Sequence, residues 1–212
     1  MFADGDIAIN PVAFFGMRFD MLSCDASAPT SLAARYRLPD TTDLTGDYPE
    51  AEMRVGWSSE GLAFHVIVRS KFGRTVYPRI DLGDALELFI DTRDVKTSGF
   101  NTRFCHHFFF LPEMTEGHQK GELTHFRTED AHPHCEINGL GLEVERSNTT
   151  YVYKIFIPSS CLIGYDIQQF KRIGFNYRIH VAGEAAQHLS AVTSDFRIEE
   201  QPSLWATGRM IS

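Results

Sequence analysis

The chain has 212 residues, of which 43% are hydrophobic and 23% charged, with a formal net charge of -8. The length suits one large all-β domain with a sizeable core, and the acidic balance excludes the clustered excess of Lys and Arg that a nucleic-acid surface needs. Seventeen Phe and 7 Tyr against 2 Trp favour strands, because flat aromatic side chains suit a pleated, half-buried surface.

At the N-terminus, Asp4 and Asp6 stand where a leader peptide would carry positive charge, and no run of about 18 apolar residues could cross a membrane as a helix. The expectation is a cytoplasmic protein that binds no membrane and no nucleic acid. Cys24, Cys105, Cys135 and Cys161 form no CxxC pair, and in that compartment they are expected as reduced thiols. Residues 1–30 read as an arm or added edge strands, and 31–212 as a single domain.

Period-two patterns then recur along the chain. "AEMRVGW" (51–57) and "GLAFHVIV" (61–68) flank "SSEG", a hairpin turn in which Gly61 can take positive φ. Further strands are expected at 85–92, 103–111, 141–147, 150–158, 172–182 and 204–211, with "SNTT" (147–150) as a second tight turn. "PSSC" after the strand 150–158 reads as a single helical turn. The stretches 36–50 and 112–135 read as loops with room for short strands. Eight or more short strands without alternating helices predict a jelly-roll-like sandwich of two antiparallel sheets.

Strand alternation assigns side chains to faces. In "GDALELFIDTRD", Leu86, Leu88 and Ile90 share one face, and Ala85, Glu87, Phe89 and Asp91 the other. Arg103, Cys105 and His107 share a face of the next strand, and Asn176, Arg178 and His180 a face of a later one. If these strands belong to one sheet, Glu87, Arg103, His107, Asn176, Arg178 and His180 line a common surface. Such a set can read a polyhydroxylated or anionic ligand through charge-assisted hydrogen bonds; the alternative is cross-strand ion pairing on a solvated face.

Asp84 and Asp91 are about 23 Å apart along one strand, which excludes them as a glycoside-cleaving pair. Asp84 is expected to accept backbone hydrogen bonds and Asp91 to pair with Arg93 or another arginine. His132, His134 and Cys105 are the candidate metal ligands, by residue type. A thiol or metal-dependent enzyme centred on Cys105, His107 and the segment His132–Cys135 is the rival class, and a structural interaction module a third. No nucleophile-elbow, phosphate-loop or dinucleotide glycine pattern occurs, so no catalytic residue is assigned and no enzyme activity is expected.

The order of motifs, Trp57, "EGLAFHVIV", "GDALELFIDTRD", "RFCHHFFF", "YVYKIFIPSSCL", "RIGFNYRI" and "PSLWATGRM", resembles the family 9 carbohydrate-binding modules, within the wider DOMON-like group of β-sandwiches that includes many bacterial proteins. The match spans residues 50–211. The resemblance implies a sandwich fold and a saccharide ligand. It implies sugar contacts from Glu87 and from polar residues of the strand at 103–107. The positions of the family's two clamping aromatics are held here by Asp81 and Glu199, with Tyr77 and Phe196 as nearby substitutes. Of the family's N-terminal calcium segment only Asp4 to Asp6 are similar. Calcium there, or zinc at the histidines, is the extent of any cofactor expectation, and the oligomeric state is left open.

Overall fold

A computed structural model describes residues 16–45, 47–190 and 196–212. The first 15 residues of the expected N-terminal arm, including Asp4 and Asp6, lie outside the described residues. Eleven strands are present among the described residues: β1 (Arg18–Ser23), β2 (Ala51–Ser58), β3 (Gly61–Val68), β4 (Ala85–Asp91), β5 (Cys105–Thr115), β6 (His118–Glu122), β7 (Gly141–Arg146), β8 (Tyr151–Pro158), β9 (Arg172–His180), β10 (Gln187–His188) and β11 (Ala206–Ile211). Helical structure among the described residues is confined to single turns, including the expected one at Ser159–Cys161.

The strands hydrogen-bond in the order β6-β5-β4-β9-β11-β1-β2-β3-β8-β7, with β10 added against β9. This path folds over on itself. Phe64 of β3 and Phe175 of β9 are separated by three intervening strands, yet their rings stack with centroids 5.8 Å apart, and Phe19 of β1 meets Phe175 edge-on at 5.9 Å. Two layers thus enclose one core of Leu, Ile, Val and aromatic side chains. All pairings are antiparallel except those of β1, which runs parallel to both β11 and β2. The sheet is therefore mixed where only antiparallel pairing was expected.

Period-two patterning sets this architecture. Leu86, Leu88 and Ile90 of β4, Phe108 and Phe110 of β5, and Ile173, Phe175, Tyr177 and Ile179 of β9 all enter the central core. Two buried polar side chains find backbone partners along the way: the Trp57 indole N–H donates to the Met21 carbonyl at 2.8 Å, and the Gln187 amide bonds both backbone groups of Ala51. In the turn before β3, Gly61 adopts φ +150, and a Cβ there would lie 2.1 Å from the Ile157 carbonyl oxygen. Only glycine fits that position.

Cys135 and Cys161 are joined in a disulfide, with Cα atoms 5.0 Å apart. This corrects the expectation of four reduced thiols; Cys24 and Cys105 remain free. The bond ties the end of the 112–135 segment to the turn after β8, and closing a loop of this 26-residue separation stabilises the fold by about 3 to 4 kcal/mol in the chain-entropy model.

Two outcomes follow. Phe175→Ala, which removes a ring packed between Phe19 and Phe64, should cost about 3 to 5 kcal/mol in chemical denaturation; a loss below about 1 kcal/mol would contradict that packing. Thiol titration of the denatured, unreduced chain should find Cys24 and Cys105 alone, whereas reaction at all four cysteines would rule out the disulfide.

Candidate functional site

β4 is buried at every residue, so its outward side chains are covered as well as its inward ones. The register determines what meets Glu87. Arg178 of β9 stands directly opposite it, while His180 faces Ala85 and His107 of β5 faces Phe89. Residues directly opposite or diagonal across strands are within side-chain reach.

All three converge on one carboxylate. Arg178 donates from Nε to Oε1 at 2.6 Å and from Nη2 to Oε2 at 3.0 Å. His180 Nε2 lies 2.7 Å from Oε1, and His107 Nε2 lies 2.7 Å from Oε2. Four donors thus fill the roughly four lone-pair positions of the ionised group, and the bidentate Arg178 fork fixes its plane. Burial by itself would push the Glu87 carboxyl up. The hydrogen bonds from His107 and His180, with the Arg178 charge, outweigh it and hold the group well below its usual value of 4.5.

Phe89 backs this centre. Its ring lies 4.5 Å from that of His107 and 5.8 Å from Trp205, and the Arg178 guanidinium sits 5.6 Å from its centroid. Phe196 packs against the same apolar group. On the other side Tyr77 joins Ile80, Ala85, Phe109 and Leu111 and stacks on His118 at 4.1 Å.

Two residues expected on this surface stand apart from the carboxylate. Asn176 is fully buried and tied to the Ser190 backbone, donating to its carbonyl at 3.0 Å. Arg103 is exposed and ion-paired with Asp130. Glu199 joins instead, 3.4 Å from Arg178 Nη1. Its signal in the sequence was its place at an expected aromatic position. Asp81, at the other such position, is exposed and paired with Arg79 at 2.8 Å.

His132, His134 and Cys105 are not gathered together. His134 Nε2 lies 2.8 Å from the Thr124 carbonyl. Cys105 is buried beside Phe89 and Trp205, and burial pushes its thiol up to about 12. His132 instead joins His106 and Glu122, the one group of three metal-ligating side chains found among the described residues. Both imidazoles lie 2.9 Å from Glu122 Oε1. Thr124 Oγ1 also donates to that atom at 2.7 Å, and the Cys135 N–H donates to Oε2 at 2.7 Å.

The tautomers define this second cluster. His106 Nε2 accepts from the Ile163 N–H at 3.0 Å, so its proton is on Nδ1, facing Glu122. His132 presents Nδ1 to the Arg103 carbonyl at 2.7 Å and Nε2 to Glu122, so both its nitrogens face acceptors. The donors fit an internal hydrogen-bonded ion cluster, and a zinc ion would need the His106 Nδ1 lone pair that this bonding spends. Burial would raise the Glu122 carboxyl, but the His106 and His132 hydrogen bonds hold it far below the usual range. Burial lowers His106 despite Glu122 beside it.

The aspartates of the opening motif are occupied by backbone groups. Asp84 accepts from the N–H of Gly73 at 2.7 Å and of Arg74 at 2.9 Å, and from the Tyr151 hydroxyl at 3.1 Å. Asp91 accepts from the N–H of Arg93 and Val95. The Arg93 guanidinium turns away from Asp91, onto the rings of Phe104 and Phe170, which corrects the expected side-chain ion pair.

No family model and no curated protein matches the chain. Solved structures do. A carbohydrate binding module family 9 from Caldicellulosiruptor kristjanssonii in complex with cellotriose superposes with a TM-score of 0.63 at 12% identity, covering 91% of this chain and 93% of that one. The fold is that of the family 9 carbohydrate-binding modules. A second structure of a family 9 module from this organism, in complex with glucose, gives a TM-score of 0.59 at 13% identity over 92% and 96% of the two chains. The family 9-like fold thus spans β1 as well as the later strands.

Acid should destabilise the protein in two stages. A depressed imidazole such as His106 contributes stability that falls as pH drops below its unfolded value near 6.5, and depressed carboxylates such as Glu87 lose theirs as pH falls below about 4.5. Glu87→Gln should flatten the dependence below about pH 4.5 in denaturation series from pH 7 to 3. An unchanged slope would show that Glu87 is not held ionised. At neutral pH, Glu87→Ala leaves Arg178, His107 and His180 without the carboxylate they share and should cost about 3 to 5 kcal/mol.

Proposed function

We propose that this chain is a non-catalytic saccharide-binding module whose ligand, a saccharide or a sugar-like anionic metabolite, lies over the Glu87 centre. The observation that carries the reading is the fully paired Glu87 carboxylate on the outer face of a family 9-like fold. Glu87 has no acceptor position left for a sugar hydroxyl, so its part is to fix Arg178, His107 and His180 in place. Ligand contacts then fall to Arg178 Nη1, 3.4 Å from Glu199, and to the Nδ1 atoms of His107 and His180, which carry no hydrogen bond among the described residues. Such a mixture of a guanidinium donor and imidazole nitrogens suits vicinal hydroxyls, and Phe89, Phe196 and Tyr77 supply apolar flanks.

The same geometry weighs against hydrolysis or thiol chemistry at this face. A general base needs a free lone pair within reach of its proton, and those of Glu87 are taken. A nucleophilic cysteine needs a depressed pKa, whereas the Cys105 thiol is pushed up to about 12 by burial, and Cys135 is spent in the disulfide.

A glycan array that includes neutral oligosaccharides and uronates, followed by calorimetry on the hits, tests this reading. Arg178→Ala should weaken binding about ten-fold or more, the loss of one charge-assisted hydrogen bond or better. The proposal fails if no glycan binds, or if folded Arg178→Ala and Glu87→Gln variants both bind as the unaltered chain does.

A further inference from the structure

The outer face carries a second concentration of charge at its far end. Where β4 runs into the following turn, beside the starts of β1 and β9 and the outer face of β11, a cleft of about 440 Å³ is lined by Arg18, Arg93, Lys96, Arg172 and Arg209, with Asp94 at its wall. Arg172 and Arg178 lie six residues apart on one face of β9, about 20 Å by strand rise. The cleft is therefore separate from the Glu87 centre.

Its cations are incompletely neutralised. Arg209 pairs with Asp20, Nε to Oδ1 at 2.8 Å. Lys96 Nζ lies 2.7 Å from Asp94 Oδ1, and Arg172 Nε lies 3.5 Å from Asp94 Oδ2. Asp91, behind the turn, gives its oxygens to backbone N–H groups. The Arg18 side chain has no ion pair or hydrogen bond among the described residues. Among the described residues five cations thus face three carboxylates, on a chain whose net charge is -8.

One of these cations is also held rigid. The Arg93 guanidinium is sandwiched between Phe104 at 4.6 Å and Phe170 at 3.8 Å, and its Nη1 donates to the carbonyls of Thr92 and Gly164. A planar fork fixed in this way loses little further entropy on meeting an oxyanion. Uncompensated cations around one concave space also repel one another, and a bound anion relieves that repulsion.

We propose that this cleft is a second binding site, specific for a small oxyanion bearing phosphate, sulfate or carboxylate oxygens, gripped by Arg18, Arg93 and Arg172. The proposal is independent of the saccharide reading, because it uses none of the residues around Glu87. A ligand that binds only the folded chain raises its unfolding midpoint. The full chain is therefore heated in phosphate, in sulfate and in glucuronate, each against chloride at matched ionic strength, and the affinities are measured by calorimetry.

At least one of the three should raise the midpoint above the chloride control. An Arg18→Gln, Arg172→Gln double variant should bind that anion at least ten-fold more weakly. Arg18→Gln alone removes only an exposed side chain with no ion pair or hydrogen bond among the described residues, so it keeps the fold and should still weaken binding several-fold. Preference for glucuronate assigns the site to sugar acids, and preference for phosphate or sulfate to phosphorylated or sulfated ligands. No stabilisation beyond chloride by any of the three, or equal binding by the folded variants, overturns the proposal.

Discussion

β4 is covered on both faces, so any charge it carries must be answered inside the protein. Glu87 is that charge. A carboxylate leaves water only at a cost of several kcal/mol unless good geometry and hydrogen bonds offset it, and here the offset comes from three side chains on the two neighbouring strands. Those strands must keep their register for the contacts to exist, since a slip of one residue would carry His107 or Arg178 to the opposite face. The inward faces of the same strands hold Leu88, Phe108 and Phe175 in the core. Apolar packing and the buried ion cluster therefore enforce the same alignment.

Much of this was legible in the sequence. Alternation in "ALELFID", "RFCHHFFFL" and "RIGFNYRIH" assigned each residue to its face, and the pairing of these strands in one sheet, a condition of the sequence reading, brings Glu87, His107, Arg178 and His180 together. The place of Asn176 was less accessible. It has the right parity, but the segment leading to Ser190 covers it, and that segment comes from a loop without periodicity. Arg103 precedes the first paired residue of β5, so strand alternation does not govern where it points. Glu122 had no signal at all: "HQKGE" lacks apolar alternation, and only its pairing with β5 brings it to His106. The disulfide was hidden for a similar reason, because the spacing of Cys135 and Cys161 does not encode the fold-back that joins them.

Two of the buried carboxylates, Glu87 and Glu122, show one device used in two settings. Glu87 on the outer face and Glu122 near the disulfide each collect two imidazoles, and the four acceptor positions of Glu87 are all taken. Their lining side chains are fixed before any ligand arrives, and preorganisation of this kind lowers the entropy lost on binding. The cleft around Arg93 reaches a similar rigidity by stacking a guanidinium between aromatic rings. One sheet face thus presents a mixed donor and acceptor centre and, about 20 Å away, a cationic one.

The ionised, fully paired state of Glu87 underlies both the stability and the ligand reading. The most direct test is the carbon-13 shift of its side-chain carboxyl, followed by NMR as pH is lowered. The expected result is a carboxylate that stays ionised at and below pH 4.5, the ordinary value for glutamate, until the protein unfolds. A carboxyl that titrates at or above that value in the folded protein would contradict it.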